Sequence, residues 1–151
     1  MTQAYTHNFS EVHQLGDYLQ PASRAIGTYN TAWISVQNHQ RGVFLLLTGA
    51  VGAGSTIDFA LQQATDIAGT GAKAFTPAKA ITQLTQAGGD ENDAVLVEFR
   101  TEEMDVDNQF DFVRGVLTIA GGGDCFTALV PLMGCSNYPP VAVGLWEEIV
   151  T

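Results

Sequence analysis

The stretch FLLLTGAVGAGSTIDFALQQATD, residues 44–66, decides how this chain is read. An apolar run enters a glycine-rich loop, and the loop leads into a segment that fits two periods. As a strand, the segment puts Ile57, Phe59 and Leu61 on one face and Asp58, Ala60 and Gln62 on the other. As a helix, it gathers Ile57, Ala60, Leu61 and Ala64. A helix would make the loop a phosphate cradle, because Gly49-x-x-x-x-Gly54-Ser55-Thr56 has P-loop spacing. A strand would make it a turn.

The phosphate reading fails on chemistry. A P-loop holds phosphates with backbone N–H groups, reaches the terminal ones with a lysine and binds magnesium through a hydroxyl. Ser55 stands where the lysine belongs, and the next lysine is Lys73. Asp93 precedes its apolar strand, whereas a magnesium-binding aspartate should follow one. The glycines are therefore read as a hairpin connection, where they permit positive φ and close strand approach.

Working outward, the flanks read as strands. In TAWISVQ (31–37), Ile34 and Val36 share a face opposite Trp33, Ser35 and Gln37. VFLLLTG (43–49) is apolar on both faces, the pattern of a central strand. DAVLVEFR (93–100) alternates, and FDFVRGVLTI (110–119) and DCFTALVPLM (124–133) are rich in β-branched and aromatic residues around an AGGGD turn. PAKAITQLTQ (77–86) is a weaker strand carrying Ile81 and Leu84, and AGTGAKAF (68–75) is a further glycine turn. Pro131 requires an edge or a bulge. The best helix is NFSEVHQLGDYL (8–19), with Asn8 and Glu11 at capping-box spacing, Phe9, Val12, Leu15 and Leu19 on one face and Pro21 as its stop. Short strands between turn clusters, with no long helix interleaved, predict an all-β fold. The expected form is an antiparallel β-sandwich, jelly-roll-like, with a short N-terminal helix. The expected divisions are an N-terminal helical or arm segment (1–28), the sandwich (29–135), and a C-terminal tail (136–151) that packs on the sandwich or on a neighbour.

Composition narrows the function. Sixteen Asp+Glu against six Lys+Arg give a formal charge of −10, which disfavours nucleic acid and anionic lipid as partners. The longest apolar run, Val43 to Leu47, is too short to span a bilayer, and the polar MTQAYTHNFSEVHQ start predicts no secretory signal. Cys125 and Cys135 make no disulfide framework or zinc site, and neither has the basic surroundings of a reactive thiol. Asp105, Asp107 and Asp111 are candidate calcium ligands, but the turn glycine of an EF-hand is missing and its twelfth position is Val116. A solvated acidic loop is the commoner outcome of such a run. His7, His13 and His39 form no ligand pair, and no nucleophile elbow surrounds any serine. The reading assigns no catalytic residue and no cofactor. Aromatics near the ends, Phe9, Tyr18, Tyr138 and Trp146, are the candidate partner interface.

The runs YNTAWISVQNHQRGVFLLLTGAVGAGSTIDFALQQATDIAGTGAKAF, KAITQLTQ, DNQFDFVRGVLTI and ALVPLMGCSNYPPV, with Phe112, Val113 and Arg114 among their markers, resemble a group of small tailed-bacteriophage virion proteins. The resemblance covers roughly residues 29–140 and carries no catalytic residues. It implies a β-sandwich building block made in the host cytoplasm and built into the virion. The expected role is a capsid decoration or cement protein on the major capsid protein or other virion subunits, as a dimer or trimer. A tail, neck or fibre subunit is the alternative. A carbohydrate-binding sandwich, with Trp33 or Trp146 as stacking platform, is a second alternative.

Overall fold

The computed structural model describes residues 8–136. Among the described residues, eleven strands form two antiparallel sheets packed face to face, an all-β sandwich with one short α-helix. The first sheet has β11 (Cys125–Ser136) and β5 (His39–Val51) at its centre. β9 (Ala94–Arg100) flanks β5, and the short β1 (Gln14–Leu15) and β2 (Leu19–Arg24) follow one another along β11. The second sheet centres on β10 (Phe112–Ala120) and β6 (Thr56–Ala64). Beside β10 run β3 (Gly27–Asn30) and β4 (Ile34–Ser35); beside β6 run β7 (Lys73–Ala74) and β8 (Leu84–Thr85).

Alternation explains the packing. Phe44, Leu46, Val97, Phe99, Leu129 and Met133 point inward from the first sheet, and Ile57, Phe59, Leu61, Val113, Leu117 and Ile119 from the second. Phe44 bridges them, with ring centroids 6.0 Å from Phe59 and 6.3 Å from Phe99. Residues 56–64 are a strand, which excludes the helix that a phosphate loop requires.

The glycine loop, however, is not a hairpin. β5 pairs with β11 in one sheet, while β6 pairs with β10 in the other. Residues 52–55 therefore turn a corner between sheets, and residues 121–124 turn a second corner beside it. Together β5–β6 and β11–β10 make one long two-stranded ribbon folded over the core, in the manner of a jelly roll. A single bulge between Cys125 and Thr127 takes up the bend.

Other expectations change as well. The helix predicted for 8–19 is one turn, Phe9–Val12, although its Asn8–Glu11 capping box forms. Gly16 lies so close to Ile34 that a Cβ there would meet its Cδ1 at 2.4 Å, and Leu15 and Leu19 are drawn into pairing with β11. The sandwich thus begins inside the segment expected to be an arm. Pro21 sits within β2, an outer strand, at the irregularity between Leu19 and Ala22. Pro131 lies in a central strand, not at an edge. Its carbonyl accepts from Gly16 N at 2.9 Å, so its N atom, which lacks a hydrogen, faces the break between β1 and β2. Finally, 77–86 supplies only β8 and a single bridge from Ala80 to Ala60.

Candidate interaction face and the glycine corner

Ser55, the residue in the lysine position, is 1% exposed and faces the neighbouring corner. Its hydroxyl donates to the Gly123 carbonyl at 2.6 Å and accepts from Gly123 N–H at 2.8 Å. The two corners approach so closely that only glycine fits. A Cβ on Gly52 would lie 2.6 Å from the Gly123 carbonyl carbon, and one on Gly121 (φ +101°) would lie 2.1 Å from the Gly54 oxygen. The space a phosphate would occupy is filled by backbone, and the site is a lock between corners.

The acidic segment is likewise committed to local bonds. Asp105 pairs with Lys73 and accepts from Asn108 Nδ2 at 2.8 Å. These bonds, Lys73 first, hold its carboxyl below the ordinary aspartate value. Asp111 accepts from Gln37, while Asp107 is exposed on the one-turn 3-10 helix Val106–Asn108. The three carboxylates are not brought together, and among the described residues no three His, Cys, Asp or Glu side chains converge as a metal site. Glu103 accepts from Lys79 at 2.8 Å, which depresses its carboxyl in the same way.

His39 is buried with Nε2 3.1 Å from Gln14 Oε1, and burial, aided by His13, pushes its pKa below the ordinary histidine value. Cys125 is buried and free. Trp33 has the Arg114 guanidinium 4.5 Å from its ring centroid, and Arg114 donates in turn to Gln62 Oε1 at 2.8 and 3.1 Å. One face of that indole is therefore already stacked. Phe9 is 56% exposed and stacks on His13 at 4.0 Å; His13 lies against Gly134, so Phe9 borders the outer face of β11. Tyr18 is 38% exposed between β1 and β2. Tyr138 and Trp146, with the tail expected at 136–151 from residue 137 onward, lie outside the described residues, as does His7.

The feature that sequence reasoning did not single out as a site is the outer face of the first sheet. The ladders align Val43 with Leu132, Leu45 with Leu96 and Val130, and Leu47 with Ala94 and Ala128, all pointing away from the core. Leu47 is 40% exposed, Leu96 53% and Phe126 44%. The signal was present in VFLLLTG, whose second apolar face has no counterpart in the opposite sheet. The outer face of the second sheet is mostly polar, with Asp58, Gln62, Arg114 and Thr118 on it. A contiguous exposed apolar patch rimmed by charge marks an interaction surface.

At one end of that face is an open pocket of about 460 Å³ lined by Arg41, Lys79, Glu98, Arg100 and Glu103. Half of the chain's six basic residues gather there.

The fold and these features define a β-sandwich with an exposed apolar sheet face. No family model, curated protein or solved structure matches the chain.

Proposed function

We propose that the protein is a structural subunit that works by binding other subunits, and specifically a capsid decoration or cement protein of a bacteriophage virion. The observation that carries the reading is the outward apolar face of the first sheet, with Leu47, Leu96 and Phe126 exposed and Leu45 and Val130 half-buried beside them. Such a face in water is a cost that a partner surface removes, at roughly 25 cal/mol per Å² buried. The acidic surface suits a subunit held outside a DNA-filled shell. The sequence resemblance to small virion proteins supports the same assignment. The reading gives the chain no chemistry of its own: it binds the major capsid protein or other virion subunits, and repetition across a shell turns modest contacts into strong attachment.

The test is copy number and shell stability. Gel densitometry against the major capsid band should give hundreds of copies per particle; a few or a few dozen would assign the subunit to tail, neck or fibre. Particles stripped of the protein should break at lower temperature or under milder osmotic shock. Unchanged stability would refute the cement role.

A further inference from the structure

His39 is 5% exposed, and one of its two ring nitrogens has no partner among the described residues. Gln14 Oε1 can only accept, so its contact of 3.1 Å places the hydrogen of the neutral ring on Nε2. Nδ1 is then a bare acceptor, buried with no donor against it. A second proton must go there, where it meets no hydrogen-bond acceptor. Burying such a charge is costly, and burial is the first cause of the ring's lowered pKa. The neighbours offer no relief. No carboxylate pairs with the ring among the described residues. His13 repels its charge from the stretch before β1, and Arg41 follows on β5, its stem and the His13 ring both packed over Gly134 of β11. Residues 33–38 bring Trp33, Ser35 and Asn38, none of them charged, and the Asp111 carboxylate beyond is bonded to Gln37. Glu98 and Glu103 line a pocket with Arg41, not with His39.

We propose that residues 8–16 form a latch closed over neutral His39, and that protonation of this ring in mild acid releases them from β11. Any state that lets water reach the ring gains on the closed one as pH falls below 6.5, and the open state that costs least is the one populated. Of the elements round the ring, β5 and β11 are central strands. Residues 34–36 are fastened by buried Ile34 and Val36 and by the bond from Val36 N to Asp111 O at 2.9 Å. The amino-terminal segment is held least. Its helix Phe9–Val12 buries no side chain, β1 is two residues long, and the bond from Gly16 N to Pro131 O closes it at 2.9 Å. An open pocket of about 260 Å³, lined by Gln14, Trp33, Ser35, Asn38 and His39, already brings water to this side. Once released, the segment bares the edge of β11 at Leu132 and Met133, a row of backbone groups that another strand can take. The inference does not rest on assembly into a virion.

Amide hydrogen exchange of the full chain, read by nuclear magnetic resonance and corrected for the intrinsic rate at each pH, tests it. Gly16, whose N–H is bonded to Pro131, should open far more readily than Leu117 in the central strand β10. Between pH 7.5 and 5.5 its protection should fall about tenfold, the change for one proton taken up near 6.5 on opening. His39→Asn should abolish that fall, and His13→Asn should keep it. Gly16 protection that is independent of pH overturns the proposal, as does a fall that survives in His39→Asn or vanishes in His13→Asn. So does Gly16 exchanging only together with Leu117, since the segment would then open only when the whole molecule unfolds. Should His39→Asn fail to fold, the pH series on the wild type and on His13→Asn still decides.

Discussion

Replacing Ser55 by alanine removes one oxygen and tests the reading of the whole glycine corner. The hydroxyl makes two bonds to a single residue, to the carbonyl and the N–H of Gly123, at 2.6 and 2.8 Å. Each is worth about 1 kcal/mol net when made, and a buried partner left unsatisfied costs about 1–3 kcal/mol. Gly123 is half-buried, so water reaches it only in part. The expected loss is about 3 kcal/mol, which for a chain of 151 residues lowers the melting temperature by about 6–12 °C. Urea unfolding, followed by tryptophan fluorescence and by far-ultraviolet circular dichroism, should show the midpoint falling with an unchanged slope. Thermal scans with and without magnesium and ATP should superimpose for both proteins. A Ser55→Ala variant within about 0.5 kcal/mol of wild type would refute the corner lock, and protection of the wild type by nucleotide would refute the filled-site reading.

The same geometry separates neighbouring glycines. Gly52→Ala drives a Cβ into the Gly123 backbone and should cost about 3 kcal/mol, whereas Gly54→Ala meets no atom within 4 Å and carries only the strain of φ +71°, about 1 kcal/mol; equal losses in urea melts would contradict the packing of the corners. Gly115→Ala meets Phe59, Leu129 and Phe44 at 2.8–3.1 Å and should destabilise by about 1–3 kcal/mol through overpacking. His39, with its folded pKa below the ordinary histidine value of 6.5, lets the unfolded chain take up a proton first, so stability should fall as pH drops below 6.5 and level off once the folded ring protonates too. Urea midpoints between pH 7.5 and 5 should show that slope shrinking in His39→Asn. Glu103 and Asp105 act in the other direction of charge: their contribution is in place above their ordinary values of 4.5 and 3.8 and is lost as pH falls through the depressed folded ones.

Much of the sandwich was legible because its strands alternate cleanly. The inward Ile57, Phe59 and Leu61 and the inward Val95, Val97 and Phe99 are where a period of two places them. The corner was half legible. Its glycines announce a tight reversal, yet a hairpin and a crossing between sheets use the same residues, and only the pairing of β5 with β11 distinguishes them. The N-terminal segment misled because Leu15 and Leu19 satisfy a helical period and are also the residues β11 recruits as outer strands. Tertiary pairing outweighs a weak helix interrupted by Gly16. Of the interaction face, Phe9 was found at its margin, while Leu47, Leu96 and Phe126 were hidden inside strands that read as core. A doubly apolar strand says that both faces are covered, and nothing in its own letters says whether the second cover belongs to the same chain.

The folded ribbon also sets an order of events in time. Its open end pairs Ala64 with Phe112, and its far end pairs His39 with Ser136. Closing the span from 65 to 111 is the entropic hurdle, because later contacts form between residues already tethered by earlier ones. Zipping then proceeds through β6 and β10, around the corner held by Ser55, and along β5 and β11. The outer leucine rows need a second closure as well, Leu47 with Ala94 across residues 48–93, so they become a finished surface only when both spans have closed. A newly made chain would in that way keep its stickiest face incomplete until the molecule is ready to meet its partner.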